Sequence, residues 1–214
     1  MMIQEFQKRL LSSIILLPLS IFLIFKGSLF FNIFILSCLC LSLYEWHFIS
    51  KKKTHYFPGF LFIIFSFFSV YKLRNDGEFY FFLLVILICI STDIGGYVFG
   101  KIFKGPKLIS VSPNKTFSGM IGSFILSMLF AILFMNNLDF LNLGFNREIT
   151  LEAIIFILMI SLLSQIGDLI ISFFKRKANM KNTGKLIPGH GGILDRIDGM
   201  IFVFPIVYTI FKII

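Results

Sequence analysis

The sequence predicts an all-α polytopic membrane protein with about seven transmembrane helices. Hydrophobic residues make up 57% of the 214 positions and charged residues 14%, and the mean hydropathy is +0.91. This composition is typical of integral membrane proteins. The apolar runs are continuous rather than alternating, which favours helices over the strands of a barrel.

The expected helices follow from the apolar segments in chain order. These cover residues 10–25, 28–44, 56–71, 79–99, 119–135, 150–174 and 197–213. The first segment spans only about 24 Å at about 1.5 Å per residue, and the last is similarly short. No small-x-small cleavage motif follows the first segment, so we expect a retained helix rather than a signal peptide. The length allows one domain, and we expect a single domain over residues 1–214.

The distribution of Lys and Arg predicts the orientation in the membrane. Fifteen of the 20 basic residues fall in segments 1–9, 47–55, 101–118 and 175–196, which share one side if seven helices alternate. Cytoplasmic loops are the ones enriched in Lys and Arg. We therefore expect a cytoplasmic N-terminus and two cytoplasmic loops, 101–118 and 175–196. The net charge of +9 then needs no nucleic-acid partner.

Three aspartates interrupt or border the last apolar segments. Asp168 lies in a run whose preceding charge is Glu152, and a carboxylate there costs about 3 kcal/mol or more unless it faces a cavity or a partner. Asp195 and Asp198 are spaced i, i+3 and share one helical face. They could simply cap the last helix, but two acids on one face after a glycine-rich turn fit ligation of a hard divalent cation better. A polar stripe near Asp168 fits either helix packing or a site: Ser161, Ser164, Gln165 and Ser172.

A basic and glycine-rich segment separates these acids. Its cations are Lys175, Arg176, Lys177, Lys181 and Lys185. Their simplest role is to set membrane topology, and binding of phosphate groups is a second role. Gly191 and Gly192 permit positive φ angles, so consecutive amides there can form an anion-binding nest. Carboxylates, cations and glycine amides together suggest phosphoryl or nucleotidyl transfer.

The stretch 161–199 resembles the signature of the phosphatidate cytidylyltransferases, the CDP-diacylglycerol synthases. That signature runs as Ser, Lys-Arg, Lys-Asp, Pro-x-His-Gly-Gly and Asp-Arg-x-Asp. The matching positions are Ser172, Lys175, Arg176, Lys181, Asn182, Pro188, His190, Gly191, Gly192, Asp195, Arg196 and Asp198. Asn182 stands where the family usually has Asp.

A second stretch, 93–122, is similar to another segment of the same family. That segment reads Asp-x-Gly-x-Tyr-x-x-Gly and then Ser-Pro-x-Lys-Thr-x-Glu-Gly. The matching positions are Asp93, Gly95, Tyr97, Gly100, Ser112, Pro113, Lys115, Thr116 and Gly119, with Ser118 in place of Glu. The glycines also offer a small-residue face for close helix contact, and Asp93 is expected to be buried. Residues 1–75 match the family only in hydropathy, so 90–200 is expected to be the catalytic part.

The resemblance implies a CTP:phosphatidate cytidylyltransferase, which makes CDP-diacylglycerol and pyrophosphate from CTP and phosphatidic acid in phospholipid biosynthesis. It implies an active site on the cytoplasmic side of the inner membrane. The implied cofactor is Mg²⁺, held by Asp168 and Asp198, with Asp195 either ligating or supporting the site. The resemblance also leaves room for K⁺ as a second cation and for a homodimer among bilayer lipids.

The register also implies roles for other residues. Lys175 and Arg176 join the three acids as catalytic residues. Substrate-binding roles fall to Ser112, Lys115, Thr116, Ser172, Lys181, His190, Gly191, Gly192 and Arg196. His190 could carry a proton, but we favour a turn-fixing or phosphate-contacting role because the attacking phosphate oxygen is already ionised.

Two other functions fit part of the pattern. A CTP-dependent enzyme acting on isoprenoid lipids would share the nucleotide site. A secondary transporter would use Asp93 and Asp168 as ion sites, but the sequence has no inverted repeat and its charged, glycine-rich loop is unlike such a protein.

Overall fold

The computed structural model describes residues 2–50, 53–109, 112–140, 150–184, 186 and 191–213. Its long helices are α1 (Met2–Lys26), α2 (Ser28–Ser50), α3 (Tyr56–Asp76), α4 (Phe79–Phe103), α5 (Phe117–Phe140) and α6 (Leu151–Lys177). A short helix α7 (Leu194–Ile197) precedes α8 (Met200–Ile213), and strands β1 (Lys107–Ile109) and β2 (Ser112–Thr116) lie between α4 and α5. Each predicted apolar segment therefore corresponds to a helix.

Among the described residues, five helices are long and apolar enough to cross a membrane, namely α2, α3, α4, α5 and α6. This makes the protein an integral membrane protein. In α1 the apolar stretch is shorter, Ile14–Lys26, and α8 has 14 residues. A helix of that length covers about 21 Å of a hydrocarbon core that is about 30 Å thick. The predicted count of seven spans therefore stays a prediction.

The loop expected at 101–118 contains structure that the sequence did not predict. The chain leaves α4 through Lys104 and Gly105, whose φ angles are 53° and 103°. Strands β1 and β2 then pair antiparallel, with Ile109 opposite Ser112. The amide of Phe117 donates to the carbonyl of Pro106 at 3.1 Å, so the hairpin is tied directly to the start of α5.

The chain divides into two compact units, and each combines an N-terminal and a C-terminal part. The first unit is Met1–Tyr71 with Phe174–Asp198, and the second is Lys72–Phe173 with Gly199–Ile214. Buried apolar side chains of the first unit include Trp46, Ile49, Ile63, Phe67 and Leu194. Those of the second include Phe82, Val85, Ile88, Ile160, Val203 and Phe204. Since neither unit is continuous in sequence, the chain does not divide into sequential domains.

Within the second unit, α4 and α5 pack through small residues. A Cβ added to Gly95 would lie 2.5 Å from the carbonyl oxygen of Gly122, and one added to Gly119 would lie 2.7 Å from that of Gly96. The Ser123 hydroxyl also donates to the carbonyl of Thr92 at 2.7 Å. The predicted small-residue face of α4 is therefore confirmed.

The predicted burial of Asp93 is wrong, because this residue is exposed on the neighbouring face of α4. One turn later on that face lies Tyr97, which is 68% exposed. The side of α4 that α5 covers carries the glycines instead. Asp93 and Tyr97, which are spaced i, i+4 and share one face, therefore point away from α5.

Replacing Gly95 with Ala should destabilise the second unit by about 1–3 kcal/mol, because the new methyl group meets backbone atoms of α5 that cannot rotate away. Gly96→Ala is the matched control, since a Cβ there first meets the Ser123 hydroxyl at 3.0 Å. The midpoint of thermal unfolding in detergent measures both. Equal midpoints for the two variants would contradict the close backbone contact.

Candidate active site

In the second unit, Asp168, the predicted cation ligand within the apolar segment 150–174, lies on α6 beside Lys115 of β2. The Lys115 ammonium lies 2.5 Å from Asp168 Oδ2, and the two side chains are 26% and 28% exposed. The Ser172 hydroxyl donates to Asp168 Oδ1 at 3.2 Å. Lys115 also donates to the carbonyl of Gln165 at 3.4 Å. The structure therefore pairs one residue from each motif stretch: the ammonium group of Lys115 and the carboxylate of Asp168.

The polar stripe of α6 divides into two parts. Thr92 donates to the Ser161 hydroxyl at 2.9 Å, and Ser161 and Ser164 are both fully buried. A Cβ at Gly199 would overlap the Ser164 hydroxyl. These two serines therefore serve helix packing, whereas Ser172 belongs with Asp168.

Thr116 has a local structural role at the start of α5. Its hydroxyl accepts a hydrogen bond from the amide of Gly119 at 3.1 Å, which is the geometry of an N-cap residue. The Ser118 hydroxyl lies 2.9 Å from that of Thr116 and also donates to the carbonyl of Lys104. Ser118, which replaces a usual Glu, thus ties the end of α4 to the start of α5. Ser112 lies on β2 and is half-buried.

In the first unit, both oxygens of Asp195 are engaged. Oδ1 accepts from the Lys175 ammonium at 2.7 Å, and the two side chains are only 6% and 13% exposed. Oδ2 accepts from the amides of Thr183 at 2.8 Å and Gly192 at 3.1 Å. Of the two roles left open for Asp195, this arrangement favours support over ligation.

A fourth carboxylate, Glu45 on α2, was missed by the sequence analysis. It is 1% exposed and accepts hydrogen bonds from the Thr183 hydroxyl at 2.7 Å and from the amides of Ile193 and Leu194, each at 2.9 Å. The pattern that identified Asp168, an acid within a long apolar run, is also present at Glu45, which is the first charged residue after Lys26. No motif position marks it.

Two glycines of the stretch 161–199 make room for these carboxylates. A Cβ at Gly192 would overlap both the Thr183 hydroxyl and the Glu45 carboxylate. Gly191 has φ of 90°, and its Cβ would lie 2.8 Å from Asp195 Oδ2. The anion that the Gly192 amide faces is therefore Asp195. The Gly192 amide therefore already has an acceptor within the protein. The role of the predicted nest in binding phosphate stays a prediction.

The remaining predicted residues differ in exposure. Asp198 is buried, with 8% of its surface exposed. The cations and the amide at the motif positions are exposed: Arg176, Lys181, Asn182 and Arg196. His190 lies outside the described residues, as do Lys185 and Pro188.

An aromatic cluster fixes the end of α6 within the first unit. The rings of Trp46 and His55 lie 5.2 and 4.6 Å from the ring of Phe174, and the Lys53 ammonium donates to the carbonyl of Lys177 at 3.1 Å. Partial burial lowers the pKa of the His55 imidazole, and the charges of Lys177 and Lys53 lower this pKa further. The charged form of the ring is therefore disfavoured beside this basic end.

Within the described part of the chain, no three Asp, Glu, His or Cys side chains lie close enough to hold a metal ion. Asp168 belongs to the second unit, whereas Asp195 and Asp198 belong to the first. Convergence of the three acids on one cation therefore stays a prediction.

Comparisons with known proteins give the relationship directly. Residues 56–214 match the model of the cytidylyltransferase family. A phosphatidate cytidylyltransferase of Rickettsia felis is 36% identical over 215 residues, covering 97% of this chain and 92% of the relative. Two others, of Staphylococcus haemolyticus and Staphylococcus aureus strain COL, are 41% and 40% identical over 66% of this chain. The chain spans about half, 52%, of the length of these staphylococcal relatives. This chain belongs to the cytidylyltransferase family.

Proposed function

We propose that this protein is a CTP:phosphatidate cytidylyltransferase of phospholipid biosynthesis. One observation carries the proposal: each motif stretch places a lysine against an aspartate, Lys115 with Asp168 and Lys175 with Asp195, at 2.5 and 2.7 Å. Cations held by carboxylates are pre-oriented to contact phosphate oxygens. The relatives named as phosphatidate cytidylyltransferases supply the reaction class.

In the proposed reaction, an ionised oxygen of the lipid phosphate attacks the α-phosphorus of CTP. The bond from that phosphorus to the oxygen bridging to the β-phosphorus breaks, and pyrophosphate leaves with the bonding electrons. No proton has to be removed from the nucleophile, so positioning and charge stabilisation supply the catalysis. Lys115, Lys175, Arg176 and Lys181 are the cations that we assign to the phosphates.

Mg²⁺ is the cofactor that we propose, by the motif register, for Asp168 and Asp198. Carboxylate oxygens are the ligands this cation prefers, and Asp195, whose pair with Lys175 is more buried than the pair of Asp168 with Lys115, supports the site. When bound, the cation offsets charge on the triphosphate and on the leaving pyrophosphate. The distribution of Lys and Arg supports an active site on the cytoplasmic side of the inner membrane.

Pyrophosphate release from CTP tests the proposal. Purified protein with Mg²⁺ is offered phosphatidic acid, a polyprenyl phosphate or diacylglycerol, which lacks the attacking phosphate. We expect release with phosphatidic acid and none with diacylglycerol. Faster release with the polyprenyl phosphate would favour the isoprenoid-lipid enzyme, and substrate flux into liposomes without any release would favour a transporter.

A further inference from the structure

We infer that Glu45 is a positioning residue of the active site, which holds together the two ends of the loop between Thr183 and Asp195. The inference rests on the proposed function, because that loop carries positions assigned to substrate binding. Glu45 lies on α2, outside the matched residues 56–214. It does not belong to either motif stretch.

The contacts of Glu45 join both ends of the loop. Its carboxylate accepts from the Thr183 hydroxyl at one end and from the amides of Ile193 and Leu194 at the other. The residues between these ends include three that the motif register assigns to substrate: His190, Gly191 and Gly192. A single side chain of α2 therefore contacts both ends of this loop.

Glu45 also acts on Asp195 through shared residues. Thr183 gives its hydroxyl to Glu45 and its amide to Asp195 at 2.8 Å. At the other end, the amide of Gly192 donates to Asp195 while the next two amides donate to Glu45. The two carboxylates thus hold the same two pieces of backbone, so loosening one end would shift Asp195 and its partner Lys175.

The burial of Glu45 makes these hydrogen bonds hard to replace. The side chain is 1% exposed and that of Thr183 is equally buried, so water has no easy access to the donors. In Glu45→Gln, one oxygen becomes an NH₂ group. Whichever way the amide is turned, it presents a donor to the amide of Ile193 or of Leu194, and one buried group loses its acceptor.

The experiment compares wild type with Glu45→Gln, Thr183→Val and Glu152→Gln. Thr183→Val removes one hydrogen bond to Glu45 and retains side-chain shape, so it tests the inference even if Glu45→Gln does not fold. Glu152→Gln is the matched control, since this glutamate is exposed in the first turn of α6. Amide hydrogen exchange of the segment 191–197 and the KM values for CTP and phosphatidic acid are measured.

We expect Glu45→Gln to raise the KM for CTP about 10-fold or more, the range set by one unsatisfied buried group. Amide exchange in 191–197 should accelerate. Thr183→Val should change the same two quantities in the same direction but less. Glu152→Gln should match wild type.

Unchanged exchange in both variants would overturn the inference. Faster exchange with an unaltered KM for CTP would overturn it too, by reducing Glu45 to a structural role. A wild-type protein that forms no CDP-lipid would instead refute the proposed function. An active wild type with a normal Glu45→Gln variant refutes only the role of Glu45.

Discussion

Asp195→Asn should slow CDP-diacylglycerol formation strongly and also destabilise the protein. The Lys175 ammonium and the Asp195 carboxylate are 2.7 Å apart and 13% and 6% exposed, and removing one partner of such a buried pair costs about 3–5 kcal/mol. An asparagine must also turn its NH₂ group toward either the lysine or the two amides. The misplaced lysine should reduce the rate about 100-fold or more. Thermal unfolding and initial rates measure the two effects.

Asp76→Asn provides the control for this variant. It removes another Lys–Asp pair, with Lys72 at 3.2 Å, but the side chains are 35% and 39% exposed. Exposed pairs of this kind contribute about 0.5 kcal/mol or less. If Asp195→Asn were no less stable and no slower than Asp76→Asn, the account of the buried pair would be wrong.

Asp168→Asn should reduce the rate about 100-fold or more while changing the unfolding midpoint much less. Its pair with Lys115 is 26% and 28% exposed, so solvent screens much of the lost interaction. As the proposed cation ligand, Asp168 should also set the Mg²⁺ concentration that gives half-maximal rate. This concentration and the unfolding midpoint are the quantities to measure.

The role of Asp168 is tested by comparing the rate, the unfolding midpoint and the Mg²⁺ requirement of Asp168→Asn with those of Asp195→Asn. A normal rate and an unaltered Mg²⁺ requirement in Asp168→Asn would remove it from the proposed site. A large loss of stability without an effect on the Mg²⁺ requirement would make its role structural. Lys115→Met, which retains Asp168, should slow the reaction without raising the Mg²⁺ concentration that gives half-maximal rate.

Hydropathy predicted the helices well because each apolar run must satisfy its own backbone inside a membrane. It could not predict the hairpin at β1 and β2. These strands have three and five residues, too few for an alternating pattern to stand out. Hydropathy also led to the wrong prediction for Asp93. A carboxylate in an apolar run indicates a desolvation cost, but it does not indicate which face of the helix the neighbouring helices cover.

The candidate site was predictable where residues lie close in sequence. Spacing placed Ser172 one turn from Asp168, and the structure joins them at 3.2 Å. Pairing of Lys115 with Asp168 and of Glu45 with Thr183 depends instead on how distant elements pack, which no local pattern encodes. Glu45 shows the same sequence pattern as Asp168, an acid within an apolar helix. It lies outside the two motif stretches, which identified the other candidate residues.

The position of a radiolabel tests the central claim most directly. Purified protein is given phosphatidic acid and Mg²⁺ with CTP labelled on either its α- or its γ-phosphate, and the lipid is extracted. We expect the α label in the lipid as CDP-diacylglycerol and the γ label in aqueous pyrophosphate, with both products formed about 100-fold or more slowly in Asp168→Asn. A γ label in the lipid would mean phosphoryl rather than cytidylyl transfer and would contradict the account.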